Sequence, residues 1–189
     1  MSVLLDPPAV ALALQRIASE IALRGDRKPT DVPFIIGIRR GGEPLAKRIA
    51  AFAAELLSEA PPMGVVDITL YRDDAATALP NPRIGPSRIP GSIDGRRVVL
   101  VDDVLHTGRT IRAAFDAVFD FGRPRVIELA VLIDRGGREL PIQPDYVGLT
   151  TEVPPGQRVE VISKRTGPKS GDEAPWAMLV PRSPNSETR

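Results

Sequence analysis

Apolar and polar positions follow two rhythms along this chain. Val10, Leu14, Ile17 and Ile21 fall on one helical face, with Asp6 placed to cap the helix, Pro7 in its first turn and Gly25 at its end. Phe34, Ile35, Ile36, Gly37 and Ile38 form a short, nearly continuous apolar run, which predicts a strand buried on both faces. The turn Arg39-Arg40-Gly41-Gly42 leads into a second helix, expected to begin at Pro44, whose face is Leu45, Ile49, Phe52 and Leu56. Residues 65–71 alternate partially, as in a half-buried edge strand. Val98 to Val101 repeats the buried-strand pattern, and Ile111, Ala114, Phe115 and Val118 predict a helix from near Thr110 to about Phe121 and Gly122. Residues 126–134 are another continuous apolar strand, and residues 145–150, 157–163 and 176–180 read as shorter ones. The β-α-β-α-β order predicts an α/β fold, a parallel sheet with helices on both faces. Residues 1–180 then form one domain, and residues 181–189 a disordered tail.

One stretch has no rhythm. Residues 72–97 hold Pro80, Pro82, Gly85, Pro86, Pro90 and Gly91 together with Arg72, Arg83 and Arg88. Structureless loops of that length are uncommon in compact domains, and many are lids. Mobility and cations suit a lid over a polyanion. A disordered insertion or an exposed hairpin arm is the plainer alternative.

Composition narrows the class. The chain has 189 residues, 42% of them hydrophobic, enough for one substantial core. Its formal net charge is +1, which argues against a strongly cationic nucleic-acid protein but leaves a local basic face open. There is no cysteine, so disulfides and thiol catalysis are excluded, and a reducing cytoplasm is the expected location. No apolar run reaches the ~18 residues of a membrane span, and the first residues lack the basic and apolar regions of a signal peptide.

The chemistry gathers at Val98-Val99-Leu100-Val101-Asp102-Asp103-Val104-Leu105-His106-Thr107-Gly108-Arg109-Thr110. An apolar strand runs into two carboxylates, then a hydroxyl- and glycine-bearing loop, then a helix. Loops between a strand's carboxyl end and a helix's amino end bind ligands in open α/β sheets, and helix N-termini favour anions. Thr107 and Thr110 can donate to phosphate oxygens, and Gly108 permits close backbone approach. Asp102 and Asp103 would repel a bare phosphate. They suit a ligand that also carries hydroxyls or brings Mg²⁺, as a phosphorylated sugar does. The bland alternative is a strand end with two solvated acids and a capped helix. No G-x-x-x-x-G-K-[ST] or strand-linked G-x-G-x-x-G is present, so nucleotide-triphosphate and dinucleotide loops have no fingerprint here.

This run resembles the phosphoribosyl-diphosphate (PRPP) signature of the type I phosphoribosyltransferases. Residues 67–74, Leu45-Ala46-Lys47-Arg48, Phe121-Gly122-Arg123-Pro124, and Asp134-Arg135-Gly136 with residues 138–142 narrow the likeness to that family's bifunctional pyrimidine-operon regulators, over roughly residues 3–150. The resemblance implies a type I phosphoribosyltransferase fold: a parallel sheet flanked by helices, a mobile lid loop or hairpin, and a small C-terminal hood. It implies a uracil phosphoribosyltransferase, making UMP and diphosphate from uracil and PRPP with Mg²⁺. Asp102 and Asp103 would hold the ribose hydroxyls, directly or through Mg²⁺. Val104, Leu105, His106, Thr107, Gly108, Arg109 and Thr110 would cradle the 5′-phosphate. Arg39, Arg40, Gly41 and Gly42 would bind diphosphate, Arg72 and Arg88 would close from the lid, and Ile133 and Val153 would lie near the base. Relatives commonly have an arginine followed by one glycine at the Gly41-Gly42 position, and often tyrosine at His106.

The resemblance also implies regulation by UMP- or UTP-dependent binding to pyrimidine-operon leader mRNA, and assembly as a homodimer or homotetramer. Arg16 and Arg138 match positions expected on the RNA face. Gly137, Gln143 and Leu149 stand where histidine, arginine and lysine are usual, which removes donors from that face. Three readings stay open: an enzyme with RNA regulation, an enzyme without it, and a nucleotide-sensing regulator whose transferase site is mainly an effector pocket.

Overall fold

In the computed structural model, residues 2–24, 32–73, 85–162 and 175–181 are described. The order is β1 (Ser2–Leu5), α1 (Pro7–Leu23), β2 (Phe34–Ile38), α2 (Gly42–Ala54), β3 (Met63–Val66), β4 (Arg97–Leu105), α3 (Arg109–Phe119), β5 (Val126–Asp134), β6 (Tyr146–Thr150), β7 (Gln157–Ile162) and β8 (Trp176–Pro181). Five strands make a parallel sheet in the order β3-β2-β4-β5-β6.

Alternation along the strands divides the interior into two cores. Ile35, Val99, Val101, Ala130 and Leu132 pack with Leu14 and Ile17 of α1 and Leu45 and Ile49 of α2. Phe34, Ile36, Val98, Leu100 and Val131 pack with Ile111, Ala114 and Val118 of α3 on the opposite face. The continuous apolar runs are thus strands covered on both sides, as expected. Asp6 caps α1 as its sequence position implies, accepting from the Ala9 N–H at 2.9 Å.

A buried polar cluster ties three strands together below the site. The Arg97 guanidinium donates to Glu128 at 2.8 Å and to the Tyr146 hydroxyl at 2.9 Å, and Tyr146 also donates to Glu128 at 2.8 Å. Arg97 reaches the Ile21 carbonyl as well, which anchors the end of α1.

Several expectations are corrected. The edge strand is Met63–Val66 and not residues 65–71, because the chain leaves the sheet at Asp67, whose carboxylate accepts from the Thr69 N–H and fixes a turn. The acid pair lies within β4, which runs on to Leu105. Helix α2 begins at Gly42, two residues before Pro44, and α3 ends at Phe119. Residues 85–97 are not structureless: Arg88 forms a two-hydrogen-bond bridge to Val65, and Ile93 is fully buried. The small second sheet is antiparallel, ordered β1-β8-β7, so the expected C-terminal hood includes the chain's first strand. Gly25, Arg83 and residues 182–189 lie outside the described residues. No described helix is long and apolar enough to cross a membrane.

Candidate active site

The site forms where β2, β4 and β5 end side by side. Gly37 of β2 pairs with Val101 of β4, and Val104 and Leu105 of β4 pair with Ile133 and Asp134 of β5. The turn after β2 therefore stands level with the acid pair.

Two glycines make that contact possible. A Cβ on Gly41 would lie 2.0 Å from the Asp103 Oδ2 atom, and one on Gly42 would lie 2.0 Å from the Val101 carbonyl oxygen. Only bare backbone fits at either place. The doubled glycine, a departure from the family pattern, lets the turn press against both strand and carboxylate. The Arg39–Arg40 peptide is cis. Arg40 is exposed. The Arg39 guanidinium lies beside Gly85 and Asp67, its Nε 3.8 Å from Glu43 Oε2 and without a hydrogen-bond partner among the described residues. The Nε atom itself is buried, while the side chain as a whole is partly exposed.

The acid pair is crowded. Asp102 is 5% exposed, and its Oδ1 accepts from the Asp103 N–H at 3.0 Å. Asp103 Oδ1 accepts from the Val104 N–H at 2.8 Å. Burial, followed by the like charge of Asp103, pushes the Asp102 carboxyl well above the usual carboxylate range, and burial pushes Asp103 up as well. Two confined carboxylates of this kind fit hydroxyl donors or a hard cation. Among the described residues no three metal-ligating side chains converge, so a Mg²⁺ here would draw most of its oxygens from ligand and water.

The loop expected to cradle the 5′-phosphate follows β4 at once. Gly108 has φ +93°, a left-handed conformation that favours glycine, and Leu140 and Ile142 fill the space behind it. Helix α3 starts at Arg109 with neither a side-chain cap nor an acidic residue in its first turn, so its N–H groups and dipole are undiluted. The Thr107 hydroxyl oxygen accepts a long hydrogen bond from the Arg109 N–H, and Thr110 is exposed on the first turn.

Other expected residues fall differently. The Arg109 side chain does not serve the loop: it pairs with Asp73 at 2.9 Å and Glu139 at 2.7 Å. Asp73 also pairs with Arg112, whose guanidinium donates to the Tyr71 carbonyl, so the near end of the lid segment is fastened to α3. Arg72 and Arg88, the two residues expected on a lid, are both exposed, with the Arg88 backbone held in its bridge to Val65. Ile133 is fully buried in the core, so its own side chain offers a base no surface, whereas Val153 is half-buried.

The two arginines expected to face RNA are engaged within the chain. Arg16 donates to Glu20 and to the carbonyls of Val147 and Gly148, tying α1 to β6. Arg138 donates to Asp134, to the Ile142 carbonyl and to the His106 carbonyl. Gln143 is exposed, while Leu149 packs against the core. Sequence reasoning missed the role of Asp134 and Arg138, whose spacing gives the only hint of an i,i+4 ion pair.

Comparison with known proteins identifies the family and the fold. A phosphoribosyl transferase domain model matches residues 2–167. The Bifunctional protein PyrR of Pelotomaculum thermopropionicum is 50% identical over 158 residues, covering 84% of this chain and 85% of that one. Its namesake in Roseiflexus sp. is 54% identical over 156 residues, covering 82% and 84%, and that of Thermus thermophilus 48% identical over 170 residues, covering 90% and 91%. Among solved structures, the hypoxanthine phosphoribosyltransferase of Trypanosoma cruzi matches with TM-score 0.66 at 18% identity, covering 96% of this chain and 98% of that one. Such distant identity speaks for the fold alone. The signature, the parallel sheet and the span of these matches agree, and the chain belongs to the phosphoribosyltransferase family.

Proposed function

We propose that this chain transfers a phosphoribosyl group from PRPP to uracil, giving UMP and diphosphate, and regulates pyrimidine genes by UMP- or UTP-dependent binding to leader mRNA. The observation that carries the enzymatic half is the contact of the Gly41 turn with the Asp103 carboxylate. The turn expected to take diphosphate thus lies against the acid pair, and the loop expected to hold the 5′-phosphate follows on the same strand, which supports a PRPP site.

The reaction forms a bond from the uracil nitrogen N1 to the anomeric carbon, breaks the bond from that carbon to the diphosphate oxygen, and releases the N1 proton to solvent. Positive character grows on the ribose ring as the bond breaks. Asp102 and Asp103 accept hydrogen bonds from the ribose hydroxyls, and their negative charge favours the cationic ring. The same two carboxylates would hold a Mg²⁺ brought with PRPP, which would supply positive charge to the leaving diphosphate. The backbone from Val104 to Thr110, with the start of α3, holds the 5′-phosphate. The Arg39 guanidinium and the bare turn at Gly41 and Gly42 receive the diphosphate. Arg72 and Arg88 close from the lid and exclude water, which would otherwise hydrolyse PRPP.

The regulatory half rests on likeness to the bifunctional relatives. A cytoplasmic location and a homodimeric or homotetrameric state belong to the same reading. The test uses Asp103→Asn. That variant should lose UMP formation while keeping the wild-type affinity for leader RNA. UMP formation at the wild-type rate would refute the acid-pair mechanism, and leader RNA binding no better than scrambled RNA at physiological salt would refute the regulatory half.

A further inference from the structure

Three consecutive carbonyls of the loop expected to hold phosphate face one segment. The Leu105 carbonyl accepts from the Arg135 N–H at 3.1 Å, the His106 carbonyl from the Arg138 guanidinium at 3.0 Å, and the Thr107 carbonyl from the N–H groups of Glu139 and Leu140, both at 3.0 Å. Every donor comes from the segment after β5. In a trans peptide the N–H lies opposite the carbonyl, and the only cis peptide among the described residues is at Arg39–Arg40. The N–H groups of His106, Thr107 and Gly108 therefore turn away from that segment. Successive N–H groups so aligned make an anion-binding concavity.

Backbone donors hold three of these carbonyl contacts, but the middle peptide depends on one side chain. Arg138 is itself fixed at both ends of its fork. It pairs with Asp134 Oδ2 at 2.7 Å and donates its Nε to the Ile142 carbonyl at 2.9 Å, while Asp134 Oδ1 accepts from the Gly136 N–H at 3.0 Å. Both partners are about 15% exposed, 15% for Arg138 and 14% for Asp134, so the pair is largely shielded from competing water. Lysine could not span these three acceptors, because its ammonium is a point donor and lacks the planar fork.

We propose that Arg138 is a positioning residue for the 5′-phosphate of the ligand: it orients the His106–Thr107 peptide so that the loop presents its N–H groups to the phosphate. This rests on the phosphoribosyltransferase reading of the same site and adds to it a residue that touches no substrate. It also gives Arg138 a role other than contact with RNA.

The test compares UMP with uridine, which differ only in the phosphate. Wild-type protein, Arg138→Gln and Arg138→Lys are titrated with each by calorimetry, and each variant's fold is checked by its thermal transition. The wild type should prefer UMP. Arg138→Gln should lose about ten- to a hundredfold in UMP affinity, the scale of a misplaced binding group, with uridine affinity unchanged, and Arg138→Lys should fall between. A merely structural role would weaken both ligands together, and that result overturns the inference. So does a variant that keeps the full UMP preference, including one that loses only RNA affinity. If Arg138→Gln does not fold, Arg138→Lys alone decides by the same ratio. A wild type with no preference for UMP over uridine would sink the phosphoribosyltransferase reading itself and this inference with it.

Discussion

At the scale of single residues, the acid pair and the Gly41-Gly42 turn are packed against one another. Burial lifts both carboxyls above their ordinary range, and the repulsion of Asp103 adds to the lift at Asp102. Asp102→Asn removes that repulsion without changing size, so it should raise the thermal midpoint of the unliganded protein while abolishing UMP formation. For a chain of this size the midpoint moves about 2–4 °C per kcal/mol, and differential scanning calorimetry reads it. A lowered midpoint would show that the pair is not strained in the absence of ligand. Gly41→Ala should act oppositely. Its methyl would meet the Asp103 carboxylate at 2.0 Å, so kcat/KM for PRPP should drop about a hundredfold, as misplacement of a binding group does. Because that methyl can enter only if the Asp103 carboxylate shifts, the thermal midpoint should fall as well, by a few degrees. The signature at residues 98–110 was legible because its chemistry is written in adjacent letters. The role of Arg138 was not, because its partners are backbone carbonyls that no sequence pattern marks.

At the scale of elements, burial decided what could be read. Strand β5 was legible to the residue, since nine consecutive positions carry the strand pattern between clear turns. Strand β1 was missed: it has four residues, and its only partner is β8, near the other end of the chain. The end of β3 was misplaced because apolar residues continue to Tyr71, while Asp67 turns the backbone out of the sheet. The cluster joining β4, β5 and β6 yields a pH prediction. Burial and the hydrogen bond to Glu128 push the Tyr146 phenol up to about 12. Unfolded, it would ionise near its ordinary value of about 10. The folded state thus holds this proton more tightly, so the phenol's contribution is complete below about pH 10 and is lost as pH rises towards about 12. Denaturant titrations of Tyr146→Phe should show a shallower decline across that window. At neutral pH the variant should be less stable by ~1–3 kcal/mol, because Glu128 and Arg97 each lose a buried partner. An unchanged alkaline decline would mean that Tyr146 does not couple to folding.

At the scale of the whole molecule, the α/β architecture followed from the alternation of buried runs and amphipathic helices, and the crevice at the ends of β2, β4 and β5 is where such folds bind ligands. The hood could not be read as a unit, because it joins β1 to β7 and β8 across the length of the sequence. The RNA role belongs to this scale too. Arg138 is largely buried in its internal contacts, Arg16 keeps about half of its side chain exposed, and Leu149 contributes no cation. Leader RNA should still bind at least about tenfold tighter than a scrambled RNA at physiological salt, a margin of ~1.4 kcal/mol, measured by filter binding across a salt series. The central claim, however, is enzymatic and rests on the joined turn, acid pair and phosphate loop. The most direct measurement incubates the protein with PRPP, Mg²⁺ and each of uracil, cytosine, hypoxanthine and guanine, and follows nucleotide and diphosphate by mass spectrometry. Uracil should be converted to UMP with one diphosphate released per UMP, and the other bases should stay unchanged. Conversion of a purine in preference to uracil, or of no base at all, would contradict the account.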